Sequence, residues 1–237
     1  MKNIKNRLSE SDWQNLTTQM NEKGHAIIPS LLTGVECKQL IANYHQASIY
    51  RKTITMERFR FGLGEYKYFN YPLPPLIQTI RENVYPHLAP IANGWMKKLN
   101  IEKQFPDTFD ELQKLCHANG QTKPTVLILK YGKGGYNTLH QDLYGEIFFP
   151  IQTVLFLDQP GKDFSGGEFV LMQQTPRAQS KAIVLRPGKG DLLIFTTNFK
   201  PAKGSKGYYR VNMKHGVSEV HEGERHTLGI IFHDALN

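Results

Sequence analysis

The chain has 237 residues, of which 40% are hydrophobic, 21% charged and 11% aromatic, a composition that excludes disorder and fits one folded domain. No apolar run approaches the roughly 20 residues of a spanning helix, no h-region follows the charged start, and Cys37 and Cys116 stand apart without CxxC spacing. These features point to a cytoplasmic protein with reduced thiols and no membrane partner, and the formal charge of +8 favours acidic partners or simple solubility.

In chain order, the first half reads as helices plus a hairpin. Trp13, Leu16 and Met20 recur at helical spacing, and Gly24 is placed to end that helix. Thr33-Gly-Val-Glu36 has the form of a capping box opening a helix through Leu40, Ile41 and Tyr44. An apolar helical stretch follows from Leu76 to Leu99, and Pro86 and Pro90 are expected to break or kink it. A second capping box, Thr108-Phe-Asp-Glu111, precedes Leu112 and Leu115. From Thr125 onward the pattern changes to short runs rich in Val, Ile, Leu, Phe and Thr between Gly, Pro and Lys turns. They are Thr125–Tyr131, Ile147–Leu157, Glu168–Met172, Ala182–Leu185, Asp191–Thr196, Tyr208–Met213 and His226–Phe232. Strands at such close intervals predict a sandwich or barrel. The fold class is therefore α+β with a mainly β core. It forms a single domain over 1–237, with about 1–124 a helical support and candidate lid and about 125–237 the β core.

The segment from Tyr131 to Asp142 carries the sharpest chemical signal. Residues two apart on an extended chain share a face, so His140 and Asp142 can offer an imidazole and a carboxylate to one metal ion. HxD tripeptides also arise by chance, and a third ligand must come from elsewhere. The stretch His215–Asp234 holds four of the nine histidines, His215, His221, His226 and His233, and spacing leaves the choice among them open. Arg225 and Thr227 alternate on a predicted strand; a guanidinium beside a hydroxyl suits a carboxylate, although Arg225 could equally pair with Glu222, Glu224 or Asp234.

HxD, a distal His, and Arg ten residues later followed by x-Thr resembles the Fe(II)/2-oxoglutarate dioxygenase superfamily. Gly166-Gly-Glu-Phe169 and Gly188-Lys-Gly-Asp-Leu-Leu-Ile-Phe195 are similar to further marks of that superfamily, over roughly Thr125 to Asp234. Four segments look like one bacterial branch described as acting on damaged, alkylated DNA. They are Phe61–Phe69, Tyr71–Pro75, His140–Glu146 and Leu228–Ala235. The resemblance implies a double-stranded β-helix, or jelly roll. It implies His140, Asp142 and His215 as ligands of Fe(II), with Arg225, Thr227 and Tyr131 holding the cosubstrate 2-oxoglutarate, and O2 as oxidant. Retention of Asp142 disfavours halogenation. The implied reaction couples decarboxylation of 2-oxoglutarate to C–H hydroxylation or oxidative demethylation.

For the prime substrate, the candidates are Tyr66, Tyr68, Asn137, Gln141, Lys206 and Arg210. The basic stretch Lys200–Arg210, with its tyrosines, could track phosphates and stack bases or form a solvated hairpin. The spacing from Tyr131 to Asp142 is similar to AlkB-type nucleic-acid demethylases, yet Leu129 and Ile231 stand where those enzymes carry Asn and Arg. The segment His215–Arg225 is more similar to prolyl-hydroxylase-like oxygenases. Nucleic acid is thus one substrate class; a peptide side chain or small metabolite is the alternative, and a non-catalytic iron or 2-oxoglutarate sensor is a reading from another class.

Overall fold

A computed structural model of the chain describes residues 3–236. Its α-helices are α1 (Ile4–Ser9), α2 (Trp13–Lys23), α3 (Gly34–Ala42), α4 (Pro75–Lys98) and α5 (Phe109–Ala118). Strands β1 (His25–Ile28), β2 (Tyr50–Thr55), β3 (Gly62–Leu63) and β4 (Glu65–Phe69) precede α4. After α5 come β5 (Leu127–Tyr131), β6 (Tyr136–His140), β7 (Ile151–Phe156), β8 (Phe164–Gly166), β9 (Phe169–Gln174) and β10 (Lys181–Leu185). The remaining strands are β11 (Leu192–Thr196), β12 (Phe199–Gly204), β13 (Gly207–Val217), β14 (Val220–Gly223) and β15 (Arg225–Ile230).

Two antiparallel sheets face each other as a jelly roll. The larger runs β1-β11-β7-β15-β5-β4-β2 and the smaller β10-β9-β13-β6-β3, with β12 paired to β13. The inner strands β7 and β11 of the larger sheet are buried at every position because they are covered on both faces. On β7, Ile151 and Leu155 pack toward the helices, whereas Val154 and Phe156 face the second sheet. Leu192 and Ile194 against Leu193 and Phe195 repeat this division on β11. The same period of two points Arg225 and Thr227 of β15 into the interior while Leu228 and Ile230 meet the helices.

The N-terminal half combines helices with an antiparallel strand pair, β2 and β4, as its sequence suggests, and adds a strand, β1, that the sequence did not. β1 extends one edge of the larger sheet against β11, and β4 and β2 extend the other against β5. Both capping boxes form: Thr33 with Glu36 opens α3, and Thr108 with Glu111 opens α5. Asp12 caps α2, and Gly24 ends it at φ 79°, a left-handed position that glycine adopts without steric cost. The expected break at Pro86 and Pro90 does not occur, since α4 continues through both. The two prolines are exposed and one turn apart, and the carbonyls they leave unbonded belong to Glu82 and Pro86, also on the solvent face, so water can satisfy them. Among the described residues no helix is long and apolar enough to cross a membrane.

A buried polar knot ties α4 to the segment after β15. Arg81 Nη2 donates to Asp234 Oδ1 at 2.8 Å and to the Phe232 carbonyl at 3.0 Å. Tyr71 Oη accepts from Arg81 Nη1 and Gln113 Nε2, both at 2.7 Å, and His117 Nε2 lies 3.0 Å from Asp234 Oδ2. Beside it, His233 is buried, and its Nδ1 accepts from the Phe149 N–H at 3.1 Å. Burial holds its pKa down at about 4. Between pH 6.5 and 4 the unfolded chain takes up a proton there and the folded chain does not, so stability is complete above that window and falls with pH through it. The loss should approach about 3 kcal/mol near pH 4. Urea unfolding at pH 7.5, 5.5 and 4.5 should show His233→Asn, whose amide oxygen can still accept from Phe149, with a shallower decline than wild type. Equal slopes would remove His233 from the account.

Candidate metal centre

Three side chains from two distant parts of the chain converge between the sheets. His140 closes β6 and His215 lies near the end of β13, where they are register partners with ring centroids 4.2 Å apart. Asp142 follows β6 on an irregular segment, its N–H donating to Thr197 Oγ1 at 3.1 Å. Their candidate donor atoms lie within 4.8 Å of one another. His140 Nε2 is 3.6 Å from Asp142 Oδ1 and His215 Nε2 is 3.3 Å from Asp142 Oδ2.

A register shift between His215 and Val217 marks a bulge where β13 meets β6. It lets both Asn137 and His140, three residues apart, address the interior. Gly216 sits at the bulge, where a Cβ would lie 2.6 Å from the Asn137 carbonyl, so this close approach requires glycine.

The surroundings prepare each group for a metal. His140 Nδ1 is engaged by the Thr138 carbonyl at 2.7 Å, which leaves Nε2 as its ligand atom. Burial, with the His140 charge, lowers the pKa of His215. For Asp142, burial pushes the carboxyl up, but the hydrogen bond to His215 and the charges of His140 and His215 outweigh it. The carboxylate is held well below its ordinary range. Gln152 Nε2 donates to Asp142 Oδ2 and Tyr144 Oη to Oδ1, each at 2.9 Å.

Behind the triad lies a cavity lined by Tyr131, Asn137, Gln152, Thr153, Arg225 and Thr227, with Leu127, Leu129, Phe169, Phe195 and Ile231 as apolar walls. Arg225 is buried and is the register partner of Tyr131. Burial lowers its pKa to about 10, which still leaves it cationic at neutral pH. Its Nη1 reaches Thr227 Oγ1 only at 3.5 Å, while Nε and Nη2 have no partner. Gln152 Oε1, Thr153 Oγ1 and His215 Nδ1 are likewise buried and unbonded, and all these residues line the one cavity. Buried polar atoms without partners are costly, and a cationic guanidinium fork among them fits a carboxylate ligand.

The structure brings Asp142, His215, Arg225, Thr227, Tyr131 and Asn137 to this cavity, with His140 beside Asp142 and His215. The other histidines lie elsewhere: His226 faces Asp158 at 2.8 Å, His233 binds Phe149, and His221 is exposed on β14. The substrate candidates divide. Gln141 turns away from the cavity, donating to the Asn198 and Met213 carbonyls. Tyr68 is buried, with its hydroxyl on Tyr144 at 3.2 Å and its ring edge-on to Tyr66. Arg210 stacks over Phe199 and donates to Asn198 Oδ1 at 3.2 Å. Lys206 sits at the β12–β13 hairpin tip, on the order of 30 Å along the strand from His215. Sequence reasoning missed Gln152 and Tyr144. Gln152 had left a signal, the single amide in the buried run Ile151-Gln-Thr-Val-Leu-Phe156.

A family described as an oxygenase catalysing oxidative methylation of damaged DNA matches residues 64–235. The chain belongs to this family. An uncharacterized protein of Mycobacterium tuberculosis is 45% identical to the oxygenase over 167 residues, covering 70% of this chain and 72% of its own. Among solved structures, a 2OG-Fe(II) oxygenase family oxidoreductase from Burkholderia pseudomallei superposes with TM-score 0.57 at 15% identity, covering 96% of this chain and 95% of that one. A Pseudomonas putida prolyl-4-hydroxylase does so with TM-score 0.53 at 12% identity over 92% and 96%. The oxygenase thus has the jelly-roll fold of 2OG-Fe(II) oxygenases, and its His/Asp/His group with the carboxylate-ready cavity fits Fe(II), 2-oxoglutarate and O2 as the reaction's requirements.

Proposed function

We propose that the protein is an Fe(II)- and 2-oxoglutarate-dependent oxygenase that removes methyl groups oxidatively from damaged nucleic acid. The observation that carries the cofactor reading is the unpaired Arg225 fork facing the same cavity as the His140–Asp142–His215 triad. The triad would hold Fe(II) by two imidazoles and one carboxylate, leaving positions open. Bound there, iron supplies the oxidising chemistry that couples loss of CO2 from 2-oxoglutarate to insertion of oxygen into a C–H bond.

The chain's own residues bind, orient and exclude water. Arg225, with Thr227 beside it, grips the distal carboxylate of 2-oxoglutarate, while Gln152 and Tyr144 fix the Asp142 carboxylate by one hydrogen bond on each oxygen. The apolar walls keep the reacting space dry. One atom of O2 ends in succinate and the other in the substrate. Hydroxylation of a methyl carbon on nitrogen gives a hemiaminal, which releases formaldehyde and restores the amine. Nucleic acid as substrate is supported by the family description and by the charge of +8. Localisation in the cytoplasm and a single functional domain accord with this role.

Arg225→Gln tests the cosubstrate site. Losing a charge-assisted, two-pronged contact should raise the 2-oxoglutarate concentration for half-maximal succinate formation by roughly 100-fold. An unchanged requirement would place 2-oxoglutarate elsewhere. The substrate is tested by incubating iron-loaded protein, 2-oxoglutarate and O2 with N-methylated single-stranded DNA. Succinate and formaldehyde should rise together with the DNA; succinate without DNA-dependent formaldehyde would retain the oxygenase and reject this substrate.

A further inference from the structure

An exposed aromatic turn stands next to the metal centre and takes no part in the core. Phe59 and Phe61 stack on one another, with centroids 5.5 Å apart and planes 20° from parallel, yet they are 52% and 44% exposed. Leu63, Tyr136 and Leu139, also exposed, lie on β3 and its partner β6. A soluble surface gains nothing from holding two phenylalanine faces in water, and a patch of this kind next to a catalytic cavity marks a binding surface.

The turn is fixed to β6, and Thr138 links it to the centre. Thr138 donates to the Phe61 carbonyl from both its N–H and its hydroxyl, each at 2.9 Å. The carbonyl of the same Thr138 engages Nδ1 of His140. Gly62 draws the turn onto β6: at φ 139° it carries no side chain, and a Cβ would lie 2.2 Å from the Tyr136 carbonyl. Arginines alternate with the phenylalanines as Arg58-Phe59-Arg60-Phe61, and Lys133 follows β5. All three cations are exposed, and none forms an ion pair among the described residues.

We infer that the Arg58–Phe61 turn is a base-stacking platform that holds single-stranded nucleic acid beside the metal centre. The inference rests on the nucleic-acid reading above and assigns it residues. The stacked phenyl faces take a nucleobase, which they can reach only if it is out of a duplex. The flanking guanidiniums and Lys133 take the phosphates. A peptide substrate would use the apolar faces but leave the three unpaired cations without a purpose, so charge complementarity selects the polyanion.

The test uses the full chain loaded with Fe(II) and 2-oxoglutarate under nitrogen and a fluorescently labelled single-stranded DNA carrying an N-methylated base. Anisotropy should show wild type binding, with Phe59→Ala/Phe61→Ala weaker by at least about tenfold. Arg58→Gln/Arg60→Gln should lower the slope of log affinity against log salt by about 1.4. Because these side chains are exposed, thermal midpoints should match wild type. Wild-type binding with both double variants unchanged in affinity and salt slope would overturn the platform while leaving the nucleic-acid reading standing. No binding by wild type at low salt would overturn that reading, and the platform with it.

Discussion

Asp142→Ala is expected to abolish succinate formation and to lower Fe(II) affinity by at least about 100-fold. The carboxylate is the only anionic ligand candidate of the triad among the described residues. Two neutral imidazoles alone would face a dication inside an apolar cavity with no compensating charge. Gln152 and Tyr144, which now donate to Asp142, would be left without their acceptor. Asp142→Asn keeps the shape but not the charge, so it should fail nearly as completely; rescue by the amide would contradict a ligand role. His221→Ala, on exposed β14, serves as the comparison and should keep its iron. Iron content after desalting separates ligand loss from a slower reaction. Asp142→Ala protein that retained stoichiometric iron would refute the assignment.

The largest effect on stability is expected at Arg81. Arg81→Met keeps much of the side-chain volume but leaves Asp234 buried with Tyr71 and a half-exposed His117 as its remaining partners. Breaking a buried ion pair by removing one member costs about 3–5 kcal/mol. For a chain of this length that is about a 10 °C fall in thermal midpoint. The double replacement Arg81→Met/Asp234→Asn should recover part of the loss, because no buried charge is then stranded. A midpoint within 2–3 °C of wild type for the single variant, roughly one kcal/mol, would show that the knot contributes little.

The β core was legible because its strands obey a simple rule. Runs such as Ile151–Phe156 and Leu192–Thr196 are mostly apolar and buried on both faces, and turn residues bound them. The capping boxes fixed two helix starts by local chemistry alone. The N-terminal strands were harder to read, because β1 has four residues and β2 is exposed at Lys52 and Thr53. They exist as edges to strands far along the chain. Pro86 and Pro90 do not end α4, because a proline's cost depends on which way the freed carbonyl points, and that is decided by tertiary burial.

The site divided along the same line. His140 with Asp142, and Arg225 with Thr227, could be paired from local spacing. His215 could be chosen over three other histidines only through family resemblance; the geometry explains the choice, because β13 lies against β6 at that register. Gln152, Tyr144 and Thr138 act through hydrogen bonds to the ligands rather than as ligands. Their partners lie 2 to 63 residues away, and no spacing rule announces them. Tyr68 and Gln141 are polar residues near the motif whose bonds turn out to be internal, whereas Phe59 and Phe61, apolar and given no substrate role in the sequence, are left facing solvent.

The central claim is tested most directly by succinate formation from 2-oxoglutarate in iron-loaded protein on admission of O2, compared with Asp142→Ala. Wild type should form succinate, slowly without a prime substrate, and the variant none. Wild-type protein that holds iron and 2-oxoglutarate yet forms no succinate under O2, with or without methylated DNA, would contradict it and favour a sensor of these ligands.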